Sequence, residues 1–201
     1  MENKIPEKKI TYYDNGNIKS ISYFLNDKYH REDGPAFQKW YEDGSNMFVK
    51  YYINGIKHRE DGPCDIKWYK DGSIHFIAYY LNDQKHRIDG PSYESWYENG
   101  NKCYHTFNIE GKKNREDGPS AEFWYENGQK RKELYAIDDS YHRQDGPARR
   151  SWYIDGSIIA ISYYINGKYM NRMEWIEKLK EIDFTNYEKQ KILYDMEKYN
   201  L

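Results

Sequence analysis

The sequence predicts a mainly β repeat protein: an elongated single sheet of stacked antiparallel β-hairpins with a short C-terminal α-helical cap. Three observations carry this. Asp-Gly-Pro begins at Asp33, Asp61, Asp89, Asp117 and Asp145, each 28 residues after the last. Tryptophan keeps the same step at Trp40, Trp68, Trp96, Trp124 and Trp152. Between these marks, aromatic and β-branched runs alternate with Asp-Gly and Asn-Gly pairs, which favour tight hairpin turns. A fixed period of this length means that each unit buries its apolar surface against its neighbours.

Residues 1–10 read as an N-terminal tail, 11–170 as a six-copy array, and 171–201 as a helical cap. In one unit, residues 35–62, two β-prone runs flank Asp43-Gly44, and Asn54-Gly55 marks a second turn. Glycine supplies the positive φ that such turns need. Asp61-Gly62-Pro63 then stops pairing, because proline has no amide hydrogen. Each unit therefore reads as a hairpin whose second strand runs on to the Asn-Gly turn, followed by an extended return through His-Arg.

Comparing copies assigns the faces. Tyr13, Tyr41, Tyr69, Tyr97, Tyr125 and Tyr153 form a uniform column. Tyr23, Tyr51, Tyr79, Phe107, Tyr135 and Tyr163 form an aromatic column, and two residues on stands an aliphatic one from Leu25 to Ile165. A spacing of two puts these on one strand face, the expected buried face. The alternate column (Ser22, Lys50, Ala78, Thr106, Leu134, Ser162) varies, as a solvent or partner face would. The residue after proline is always small: Ala36, Cys64, Ser92, Ser120, Ala148. A tight corner there accounts for it.

After Asn166-Gly167 the pattern changes. Asn171 reads as an N-cap, with Trp175, Ile176, Leu179 and Ile182 at helical spacing. A break at residues 183–186 precedes a second helix carrying Ile192, Leu193, Met196 and Tyr199. Both are expected to cover the last edge or fold back on the sheet, as terminal caps of repeat arrays do.

Mean hydropathy is −1.16, yet 18% of the 201 residues are aromatic, enough to build a packed sheet. Net charge is −2 with both signs mixed, so neither a nucleic-acid partner nor a charge mimic is expected. Two cysteines at unlike repeat positions fit a reducing, cytoplasmic compartment. Residues 1–10 lack the apolar core of a signal peptide, and no apolar run is long enough to span a membrane.

Catalytic chemistry finds no foothold, because no nucleophile elbow, phosphate-binding glycine loop or zinc-protease helix appears and no unique polar constellation stands out from the repeats. The expectation is no enzyme, no cofactor and no metal. His30, His58, His86 and His142 share a column that Asn114 interrupts. Neighbouring units lie roughly 10 Å apart, too far to share a metal whose ligands sit about 2 Å away. Hydrogen bonding within the return loop is the expected role. Arg31, Arg59, Arg87, Arg115 and Arg143 each precede an Asp-Gly-Pro aspartate by two residues. They are expected to form an Arg–Asp ladder between adjacent loops. The nonapeptide pattern of calcium β-rolls is absent.

The string Tyr-Tyr-Ile-Asn-Gly, then His-Arg-Glu-Asp-Gly-Pro, then Trp-Tyr-Glu-Asn-Gly resembles the MORN-variant repeat over residues 11–170. That form occurs in multi-copy families of large DNA viruses and in antitoxin-like bacterial proteins. The unit here is longer and poorer in glycine than the standard MORN repeat. The resemblance implies stacked hairpins and roles in protein–protein contact, scaffolding or self-association, including a homodimer. In a viral protein the setting would be the host cytoplasm. Lipid contact, suggested for MORN proteins, finds no basic or amphipathic segment in these repeats.

The functional expectation is a non-enzymatic interaction or scaffold protein; an antitoxin-like inhibitor of a partner toxin is the alternative. The expected contact surface is the aromatic column Phe24, Tyr52, Tyr80 and Tyr164, with Phe48 and Phe76, since an exposed apolar stripe marks an interface.

Overall fold

The computed structural model describes residues 5–181. The expected second helix, with Ile192, Leu193, Met196 and Tyr199, lies outside the described residues, as does Ile182. The chain divides into two compact units, Met1–Lys112 with Glu126–Gly128, and Lys113–Tyr125 with Gln129–Leu201. Each is mainly β, an open sheet of antiparallel hairpins in sequence order.

In the first unit, strand Glu7–Tyr12 pairs with Ile18–Leu25. The sheet continues through Phe37–Trp40, Asn46–Lys50, Asp65–Trp68, Ile74–Ala78, Tyr93–Trp96 and Lys102–Thr106, each antiparallel to the last. The first strand starts inside the segment expected to be a tail. In the second unit, Ala121–Trp124, Lys130–Leu134, Arg149–Trp152, Ile158–Ile165 and Lys168–Met170 pair in the same way.

The turns form as their residues dictate. Gly44 has φ of 87° and donates its N–H to the Tyr41 carbonyl at 3.0 Å, closing a three-residue loop with a bulge beside Trp40. Asn54 and Gly55 both have positive φ, 52° and 82°, as a two-residue primed turn requires.

The second strand of the internal hairpins departs from its expected course. In the internal copies it stops at residues such as Lys50 and resumes as Tyr52–Ile53, which pairs with Ile56–Lys57 in a small hairpin of its own. The break falls at Tyr51, although its N–H still bonds the Cys64 carbonyl at 2.9 Å, in register with the Lys50–Asp65 pair. Only the terminal strands Ile18–Leu25 and Ile158–Ile165 run through.

Burial also differs from expectation. The aromatic and aliphatic columns are half-buried; in them only Tyr163 is fully buried. Among the described residues no second layer encloses these rings away from the C-terminal helix, so they pack edge-open against one another. The most enclosed positions are the residues after proline: Ala36, Cys64, Ser92, Ser120 and Ala148 are all 0% exposed. The column expected to face outward holds buried Ser22, Ala78, Thr106 and Leu134. These sites are where backbone meets backbone. Cys64 donates its N–H to the Ala78 carbonyl, and Ser92 does so to Thr106, each at 2.8 Å. The hydroxyls of Ser92 and Ser120 bond the carbonyls of Thr106 and Leu134. Burial pushes the Cys64 thiol up to about 12, which leaves it protonated and inert; both cysteines are free.

Helix Arg172–Glu181 begins as expected. The Asn171 side chain accepts from the Glu174 N–H and Glu174 accepts from the Asn171 N–H, both at 3.0 Å, a reciprocal capping box. Trp175, 1% exposed, lays its ring 4.6 Å from that of Tyr163 and packs with Ile158, Ile161, Met170 and Ile176. The helix thus folds back on the final strands. Trp175→Ala should cost about 3–5 kcal/mol, read as a lowered midpoint in urea denaturation of the full chain.

Candidate interaction surface

Each return loop is built around its arginine. Arg31 Nε donates to Asp33 Oδ1 at 2.7 Å, and the bond recurs at Arg59–Asp61, Arg87–Asp89, Arg115–Asp117 and Arg143–Asp145. The expected ladder between loops is therefore corrected: each pair closes within its own loop, because two residues of extended chain bring the carboxylate back to the guanidinium. The same guanidinium carbon lies 4.2 Å above the Tyr23 ring, 4.0 Å above Tyr51, 4.2 Å above Tyr79 and 4.0 Å above Tyr135. A Cβ on Gly34 would sit 3.1 Å from Arg31 Cζ, and one on Gly90 3.0 Å from that of Arg87. This crowding accounts for the glycine of Asp-Gly-Pro.

Bonds between copies come from elsewhere. The Arg31 N–H bonds the Tyr52 carbonyl at 3.0 Å, and Arg59 bonds Tyr80 at 3.1 Å. The Nδ1 of His30 accepts from the Asn54 N–H at 3.0 Å, His86 from Glu110 at 3.2 Å, and His142 from Asn166 at 3.1 Å. Histidine was expected to bond within its own loop; instead it caps the turn of the following copy. An accepting Nδ1 places the ring proton on Nε2. Asn114 takes the same place with its amide, donating to Asp138 at 3.2 Å. The uniform tyrosines are struts. Tyr41 OH donates to the Trp68 carbonyl at 3.0 Å, and Tyr13, Tyr69 and Tyr125 each reach the next tryptophan carbonyl at 2.9 Å.

Successive loops enclose half-open grooves. One of about 500 Å3 is bounded by Arg31, Asp33, Tyr51, His58, Arg59 and Asp61, and one of about 550 Å3 by the next pair of loops. Their linings hold no Ser, Cys or Lys, so they offer no such nucleophile beside a base. Their guanidiniums are already committed to aspartates. Among the described residues, no group of three or more His, Cys, Asp or Glu is placed to hold a metal.

The expected contact residues lie on the sheet. In the first unit, register carries one face across the strands as Ser20, Lys39, Phe48, Lys67, Phe76 and Ser95. Beside it runs a row through Phe37, Lys50, Asp65, Ala78 and Tyr93. The small hairpins extend the same face, for Tyr29 packs edge-on to Phe37 and Lys57 Nζ bonds Asp65 Oδ2 at 2.6 Å. Phe24 stacks on Tyr29 at 4.7 Å, and Tyr29 on Tyr52 at 5.4 Å. Phe48 meets Phe76 edge-on at 6.3 Å, and Tyr80 lies under Lys57. Phe24, Phe48, Tyr52, Phe76 and Tyr80 therefore share one face. Tyr164, in the second unit, packs against Tyr141 and Tyr169.

The surface differs from an apolar stripe in two ways. All six residues are half-buried, and lysines stand among them. Sequence reading missed those lysines, although their signal was present: Lys39, Lys50 and Lys67 alternate in their strands in step with the aromatics.

No family model matches the chain, and no curated protein matches it.

Two predictions follow the bonding. Tyr41→Phe, which leaves the Trp68 carbonyl without its donor, should lower stability by about 0.5–1.5 kcal/mol, measured by urea denaturation. The bonds and charges of Arg31, Arg59, Arg87 and Arg115 hold Asp33, Asp61, Asp89 and Asp117 below the usual carboxylate value. Burial pushes Asp145 up, but Arg143 outweighs it. These carboxyls release protons more readily in the fold than in the unfolded chain, so their stabilisation is present above pH of about 4 and is lost as pH falls through the lower folded values. The melting temperature should hold from neutrality to near that pH and fall below it, with a shallower fall in Asp61→Asn.

Proposed function

We propose that this chain is a non-enzymatic interaction or scaffold repeat protein that meets a protein partner or a second copy of itself through the aromatic face. The observation that carries the reading is the gathering of Phe24, Phe48, Tyr52, Phe76 and Tyr80 on one half-open sheet face. Large rings held side by side on rigid strands lose little freedom when covered, which suits them to be interface anchors. The return loops support the same reading: their charges are spent within each loop, so they serve architecture rather than turnover. The resemblance to MORN-variant repeats favours an interaction role in a viral setting, in the host cytoplasm.

The test is Tyr52→Ala with Phe76→Ala in the tagged full chain, with circular dichroism as the folding control. The double variant should lose the polypeptide that co-purifies at stoichiometric level with the parent, or its self-association where the parent is recovered alone as a multimer. Intact association in a folded variant would remove this face from the assignment. Capture of one unrelated polypeptide that is itself toxic would move the reading to the antitoxin alternative.

A further inference from the structure

We infer that the aromatic face of the first unit takes an acidic, extended segment of a protein partner. The inference rests on the reading that this face is the contact surface, and it adds the chemistry of what lands there. Alternation sorts the charges of the chain. Lys39, Lys50 and Lys67 fall in the two central rows, Lys9 beside them, and Lys57 and Lys85 on the small hairpins that continue the face. The carboxylates of the same rows are Glu7, at the edge, and Asp65, which Lys57 already neutralises. The strand residues Glu94, Glu122 and Glu133 fall at the alternate positions and point to the other face. A chain of net charge −2 thus carries a positive surface.

The second unit has the same bias by itself. Lys132 lies over the Phe123 ring and Arg149 over Tyr141. Lys132 is held below the ordinary lysine value, by burial first and then by Arg149, Arg131 and Lys113. These cations lie close enough together to act on one another.

The geometry separates an acidic protein from other polyanions. Lys50 and Lys67 both lie over the Phe48 ring, at 5.2 and 5.3 Å, Lys9 over Phe24 at 5.0 Å, and Lys85 over Tyr93 at 4.6 Å. The ring faces on which bases of single-stranded nucleic acid would stack are already occupied by ammonium groups. The rings are half-buried and do not project, as residues that enter a bilayer must. What the surface offers is a layer of positioned point charges on an apolar bed. An extended segment turns alternate side chains to one side, so a run of acidic residues can meet lysines laid across the strands. Electrostatic complementarity of this kind fixes orientation and speeds encounter.

The experiment uses the full chain and three labelled probes: a poly-glutamate peptide, oligothymidylate, and phosphatidylserine vesicles. Poly-glutamate should bind at low salt and weaken toward physiological salt, where the screening length is about 8 Å. Lys50→Gln with Lys67→Gln should weaken it about tenfold or more, and Lys9→Gln with Lys39→Gln gives a second pair should the first melt early. Absence of binding, unchanged binding in the folded variants, or tighter binding of oligothymidylate or vesicles would overturn the inference. If Tyr52→Ala with Phe76→Ala abolished partner association while the lysine pairs left it intact, the face would stand as the contact surface and the acidic partner would fall.

Discussion

In the return loops of Arg31, Arg59, Arg87 and Arg143 one arginine side chain satisfies several demands at once. Its Nε holds the aspartate two residues on, its plane lies on a strand tyrosine, and its guanidinium would crowd a Cβ on the glycine of Asp-Gly-Pro. Its backbone N–H bonds the strand of the following copy. A planar guanidinium can stack and fork together, whereas a lysine offers one point charge. Removing it would uncover the tyrosine, free the aspartate and loosen the junction that encloses the small residue after proline. The spacing of the hairpins depends on that junction.

Much of the fold was legible in the sequence. The period defined the copies, the Asp-Gly and Asn-Gly pairs located the turns, and Asn171 marked the helix start. What a period cannot reveal is the address of each bond. Histidine and arginine columns were recognised, but whether a column bonds its own loop or the next depends on how far the return folds back. The histidines turned out to reach forward and the Arg–Asp pairs inward. Burial was misread for a related reason. Column chemistry placed the large rings inside, as in a two-layered protein, but an open sheet encloses best where its backbones converge, and small side chains fill that place.

The candidate surface was half legible. Its aromatics were found as a column, while its lysines were averaged into a near-neutral composition. Charge totals describe a chain in solution, whereas a sheet sorts side chains by parity along each strand. A near-neutral chain can thus set most of the strand glutamates apart from the lysines that lie among the rings.

Three kinds of bond join successive copies within each unit in the same sense. Phenol, histidine and arginine of one copy reach forward to carbonyls and turns of the next. At the end of the array Tyr153 is 54% exposed, and the 28-residue tryptophan column does not continue beyond Trp152. An array joined by such head-to-tail links has a polarity, like a row of identical couplings. It can gain or lose a whole 28-residue copy in frame and still match every head to a tail. The length of such a protein is then free to change by duplication, while the residues within each copy stay fixed by the neighbour they must fit.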